Sequence, residues 1–131
     1  MGICDNYNNK VSFRCFYDVK NINEKIRIIN DNKEIESKIK ILKGSIKEEL
    51  ILTKKFDKIG INTINFIIEG KLTDMSYIFS FCKPLIKIEF ISIDTSKVKN
   101  MGNMFSFLGS LEYLDLSNFD TSNVEYMIYC A

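Results

Sequence analysis

Two consecutive stretches decide how this chain reads: LTDMSYIFSFCKPLIKIEFISIDTSK, Leu72–Lys97, and VKNMGNMFSFLGSLEYLDLSNFDTSN, Val98–Asn123. They align without a gap over 26 residues, and eight positions are identical. Met75 falls on Met101, Phe79-Ser80-Phe81 on Phe105-Ser106-Phe107, Leu85 on Leu111, and Asp94-Thr95-Ser96 on Asp120-Thr121-Ser122. Other positions exchange one apolar side chain for another, as in Leu72/Val98, Ile78/Met104, Ile88/Leu114 and Phe90/Leu116. Val124 and Met127 open a third copy. A fixed period of this length is the signature of stacked units, none of which can bury its apolar stripe alone.

Each unit carries two periodicities. Met75, Ile78, Phe79 and Cys82, and likewise Met101, Met104, Phe105 and Leu108, fall at i, i+3, i+4 and i+7. That spacing predicts a short helix of about two turns with one apolar face. Asp74 and Asn100 stand where a short polar side chain caps a helix, and Pro84 and Gly109 follow where a helix stops. Alternation then takes over, so Ile88/Phe90 and Leu114/Leu116 should point inward from short parallel strands. The outward positions between and beside them form the candidate binding face: Lys87, Glu89 and Ile91 in one unit, Tyr113, Asp115 and Ser117 in the next. Asp-Thr-Ser supplies polar side chains for a tight corner between units.

The string Leu111-Glu-Tyr-Leu-Asp-Leu-Ser-Asn-Phe-Asp-Thr-Ser-Asn-Val124 with Met127, and Val98-Lys-Asn-Met-Gly-Asn-Met-Phe-Ser-Phe107, closely resemble the BspA-type leucine-rich repeat. The resemblance covers about residues 71–131. It implies a solenoid binding module of the kind found in arrays of surface or secreted proteins, with a macromolecular partner and no catalytic residues. Two features depart from the family. The cysteine that closes the first segment is Cys82 in one copy and Leu108 in the next, so the position reads as an apolar core site. The array is also short, with two units and a fragment, which raises the alternative of a truncated end of a longer surface or adhesion protein. An unpaired repeat end would then favour self-association.

Ahead of the repeats the pattern has period two. Val11, Phe13 and Cys15 alternate with Ser12, Arg14 and Phe16 as a strand, with Lys25–Ile29 as its expected hairpin partner. Lys38–Leu42, Glu49–Thr53 and Ile64/Phe66/Ile68 give further strands, and 33–40 reads alternatively as a short helix. About 60 residues barely support an independent core, so 11–70 is expected to cap the repeats and share their core. A separate recognition domain is the rival reading. The expected organisation is a disordered tail over 1–10, a β-rich cap over 11–70 and repeats over 71–131 (72–97, 98–123, partial 124–131). As a fold class this is α+β: a β-rich cap, then a leucine-rich-repeat solenoid with one short helix and one parallel strand per unit.

Composition excludes several functions. With 18 basic and 17 acidic residues and a net charge of +1, no basic field concentrates for nucleic acid. The absence of histidine removes Ser–His and Cys–His nucleophiles. No glycine-rich phosphate loop is present, and the carboxylates of Asp94/Asp120 and Glu89/Asp115 recur because the repeat recurs. An enzymatic site, if one existed, would have to lie in residues 1–70. Cys4, Cys15, Cys82 and Cys130 share no ligand spacing, so neither metal nor cofactor is expected and the thiols read as reduced. No apolar run approaches a membrane span. Polar residues fill the place of a secretory h-region, which leaves cytoplasm as the default and the cell surface as what the resemblance implies. Gly2 meets one requirement of N-myristoylation, while Asn6 stands where that motif has Ser or Thr. The sequence therefore reads as a non-enzymatic scaffold that binds a protein through its strand face.

Overall fold

The computed structural model describes residues 11–127. The expectations for a tail over 1–10, for acylation at Gly2, and for residues 128–131 of the third repeat lie outside the described residues. In chain order the elements are β1 (Val11–Val19), β2 (Ile26–Arg27), α1 (Lys33–Lys38), β3 (Ile39–Lys43), β4 (Ile46–Glu49), β5 (Thr53–Lys54), β6 (Gly60–Ile68), β7 (Leu85–Ser92) and β8 (Tyr113–Leu114).

Alternation in β1 sets the architecture. Phe13, Cys15, Tyr17 and Val19 are buried, while Ser12, Arg14, Phe16 and Asp18 turn to the opposite, partly exposed side. One strand with one apolar face can seed a sheet in both directions. Accordingly β1 lies mid-sheet, antiparallel to β6 on one edge and to β7 on the other. The full order is β4-β3-β6-β1-β7-β8, with β7 and β8 parallel and a separate ribbon formed by β2 and β5. Lys25–Ile29 is thus not the hairpin partner of β1: its Ile26 and Arg27 pair with Lys54 and Thr53. The β3–β4 hairpin closes on Gly44-Ser45, where φ of +61° at Gly44 suits the first position of a two-residue loop.

One apolar cluster runs from the strands into the repeats. Phe13 stacks on Phe66 at 5.0 Å and meets Phe79 edge-on at 5.5 Å, so a β1 ring joins β6 to the first repeat. Polar fastening follows the same seam. Asn32 caps α1 by accepting from the Glu34 and Ile35 N–H groups, and its amide donates to the Asp74 and Ser76 carbonyls. Glu34 accepts from both the N–H and the hydroxyl of Thr73.

The expected α+β class is overturned. The described residues are mostly strand around one six-stranded sheet, and no helix among them reaches seven residues. Residues 75–82 and 101–108 are strings of turns, not helices. Tyr77 and Phe81, then Asn103 and Phe107, have φ between 55° and 64°, so every fourth residue is left-handed and no helix can propagate. The Ile78, Ser80 and Cys82 N–H groups donate three residues back. Those of Met75, Tyr77, Phe79 and Phe81 donate instead to the Asn100, Gly102, Met104 and Ser106 carbonyls of the next unit. A four-residue turn period buries the same i, i+3, i+4, i+7 positions as a helix, which is why the apolar spacing misleads. A two-turn helix gains few internal hydrogen bonds against its nucleation cost, whereas the neighbouring unit offers a hydrogen bond at every second residue. Asp74 and Asn100 consequently brace turns, accepting from the Ser76 and Gly102 N–H groups.

The Asp-Thr-Ser corners are built the same way in both units. The Asp94 carboxylate accepts from the Ser96 N–H and hydroxyl, and Asp120 accepts from Ser122 in the same manner. Thr95, almost fully buried, bridges the units: its hydroxyl donates to the Asp120 carbonyl at 3.0 Å and accepts from the Asp120 N–H at 2.8 Å.

Candidate functional site

The sheet face opposite the core places three of the candidate residues, Lys87, Glu89 and Tyr113, in two rows. The register places Phe16 of β1 opposite Lys87 of β7, and Lys87 opposite Tyr113 of β8. The Lys87 ammonium lies 5.1 Å from the Phe16 ring centroid and 5.2 Å from that of Tyr113, held between two aromatic faces by cation–π attraction. The adjacent row runs from Asn65 on β6 through Arg14 to Glu89. Arg14 Nε donates to Asn65 Oδ1 at 2.6 Å, and its Nη1 lies 3.9 Å from Glu89 Oε1.

Four of the six expected residues, Lys87, Glu89, Tyr113 and Asp115, line one shallow cleft of about 180 Å³, which Asn118 and Phe119 complete from the turn after β8. Tyr113 keeps 51% of its surface exposed there. The Asp115 carboxylate accepts from the Ser117 N–H at 2.9 Å, and bonding to the Ser117 hydroxyl and then its N–H holds its pKa below the ordinary aspartate value. Ser117 therefore orients Asp115 without lining the cleft. Ile91 is also apart. The β1–β7 register shifts between Ser12/Ser92 and Phe13/Phe90, so Ile91 has no residue opposite it and projects into solvent.

Arg14 and Phe16 belong to the face but not to the residues expected from the repeats. Their place on the polar side of an alternating strand is legible in the sequence, whereas the adjacency of β1 to β7 is not. Pairing β1 with Lys25–Ile29 hides it.

The buried thiols offer no reactive group. Burial raises the Cys15 thiol far above its ordinary range and pushes Cys82 up to about 12, with Arg27 only partly opposing this. Among the described residues no three His, Cys, Asp or Glu side chains converge to hold a metal ion. No described helix is long and apolar enough to cross a membrane.

No curated protein and no solved structure matches the chain. A family model does match, over residues 51–130, a span that begins just ahead of β5 and takes in β5, β6, β7, β8 and both repeats. By that match the chain belongs to the family described as Mycoplasma protein of unknown function, DUF285.

Proposed function

We propose that this protein is a non-catalytic scaffold that binds another protein through the sheet face around Phe16, Lys87 and Tyr113. The observation that carries the reading is the aromatic–cation–aromatic row beside the cleft. Aromatic and cationic side chains already immobilised against one another lose little entropy when a partner covers them, and tyrosine is enriched at such contacts. A cleft of about 180 Å³ is smaller than the roughly 300 Å³ or more of ordinary small-molecule sites, which favours a protein surface over a metabolite. The resemblance of the repeats to a family of binding scaffolds supports the same reading.

The test is site-specific crosslinking. A benzophenone amino acid in place of Tyr113, added to extract of the source cells, should capture a discrete protein. Lys87→Glu should abolish that capture, and the same probe at Lys55 on the surface should not reproduce it. No adduct from position 113, or one identical from both positions, would sink the proposal.

A further inference from the structure

The six-stranded sheet contains an open edge inside its outline. β6 pairs with β1 along its whole length, from Gly60 to Ile68, but with β3 only from Asn65 to Ile68. Beyond the Leu42–Asn65 pair, β3 turns away into its hairpin, and residues 60–64 have no strand on that side among the described residues. The orientation of the backbone groups there follows from the register. The Glu69 N–H donates to the Lys38 carbonyl at 2.8 Å, which continues the β3–β6 register. Backbone groups alternate between the two edges of an antiparallel strand, and β6 runs without a bulge against β1. Ile67 and Asn65 thus turn the same way as Glu69, toward β3, and Ile61 and Thr63 turn the same way with nothing opposite.

The gap is a groove of about 430 Å³, within the range of ligand-binding clefts. Its floor is apolar, from Ile41, Phe56 and Ile64, and Ile51 stands at its wall. Its lining carries three cations and two carboxylates: Lys43 pairs with Glu48 at 3.4 Å, Lys58 adjoins Asp57, and the Lys54 ammonium lies over the Phe56 ring. The edge itself, Ile59-Gly-Ile-Asn-Thr-Ile64, carries no charge, and Ile59 and Ile61 are 68% and 57% exposed. The two outer edges of the sheet are protected in the ways that keep edges from pairing. β4 is short and bears Lys47, Glu48 and Glu49, and β8 is only two residues long. The inner edge has neither protection.

We propose that this groove takes an extended, uncharged segment of a partner protein as an added β-strand, in line with β3. The segment's main chain bonds to Ile61 and Thr63, and one of its apolar side chains enters between Phe56 and Ile64. Backbone donors and acceptors at two-residue spacing beside an apolar floor are the chemistry of strand addition.

A displayed library of random heptapeptides selected on the full chain tests this. Selection should enrich peptides that alternate apolar and polar residues without net charge. Hydrogen exchange at the Ile61 and Thr63 amides should slow when such a peptide binds. Thr63→Pro removes an N–H that faces away from β1, a position an open edge tolerates, and should weaken binding by about tenfold, the worth of one or two backbone hydrogen bonds. N-methylation of alternate peptide amides should do the same with the protein unchanged, which keeps the test valid should Thr63→Pro fail to fold. Tyr113→Ala should leave peptide binding intact, separating this groove from the sheet face. No enrichment, equal binding of the methylated peptide, or a dimer that Thr63→Pro dissolves would each overturn the proposal.

Discussion

Phe81 and Phe107, one repeat apart, stack with ring centroids 4.6 Å apart and planes within 12° of parallel, and both have left-handed backbones. The spacing is close to that between neighbouring strands of a sheet, because the two turn strings are joined like strands, through the hydrogen bond from the Phe81 N–H to the Ser106 carbonyl. Both rings face solvent. A left-handed conformation costs an L-residue roughly 1–2 kcal/mol, and an offset aromatic pair returns roughly 0.5–1.5 kcal/mol. With two such residues and one stack, the ring pair offsets only part of the backbone strain, roughly 0.5–1.5 kcal/mol against roughly 2–4 kcal/mol.

Tyr77 has the same backbone conformation and no ring partner, since the matching residue of the next unit is Asn103. It is 45% exposed. Tyr77→Gly should therefore stabilise the protein by about 0.5–1 kcal/mol, the relief of left-handed strain less the added entropy of glycine. In a helix the same substitution would cost about 1 kcal/mol. Urea denaturation separates the two by sign, and a fall in the midpoint would refute the turn-string geometry.

The Tyr77 position marks the limit of what local spacing encodes. Burial of Met75, Ile78, Phe79 and Cys82 was legible, because both a helix and a four-residue turn string place those side chains inward. The backbone was not, because the choice lies in hydrogen bonds to residues 25 positions on, which no local spacing encodes. The alternation of β1 was likewise legible, and its neighbours were not: Cys15 faces Ile64 on one side and Ile88 on the other, contacts set by long-range packing. On the candidate face, Lys87 and Tyr113 were legible from the repeat register. Phe16, which completes their row, depended on that packing.

Glu34 ties α1 to the start of the repeats and gives the fold an acid-sensitive joint. Burial alone would raise its carboxyl, but the Thr73 N–H and hydroxyl and the Lys38 ammonium outweigh this and hold it below its ordinary value. A carboxylate lowered in the folded state contributes stability above its unfolded value, about pH 4.3, and loses it as pH falls through the folded value. Glu34→Gln should cost about 1 kcal/mol at pH 7, at the low end for bonds to a charged group because the site is partly exposed. The gap between wild type and variant should narrow as pH falls below about 4.3 and through the folded value. A gap that does not narrow with falling pH would show that the carboxylate charge contributes nothing.

At alkaline pH the core groups act in the opposite sense. Burial raises the Tyr17 phenol well above its ordinary value, and its hydroxyl donates to the Ile28 carbonyl at 2.6 Å; burial also pushes the Cys82 thiol up to about 12. From about pH 8.5 for thiols and pH 10 for phenols, the unfolded chain sheds protons that the folded chain keeps. The folded state then binds more protons, so stability falls as pH rises, by up to about 1.4 kcal/mol per unit for each group. Cys82→Ala should flatten that decline between pH 9 and Cys82's folded value of about 12. Parallel curves for wild type and variant would refute a buried, protonated thiol at this position.

Thr95 and Thr121 occupy the same motif position, yet only Thr95 is buried between units, with the Asp120 N–H and carbonyl both bonded to its hydroxyl. Thr121 is exposed. Thr95→Val keeps the shape but leaves both backbone groups of Asp120 without that partner, so it should cost about 1–3 kcal/mol. Thr121→Val should stay within about 0.5 kcal/mol, as surface substitutions do. The difference separates a threonine that bridges two described units from one that is exposed. Equal losses in chemical denaturation would mean that the Asp-Thr-Ser corner acts within each unit, not between them.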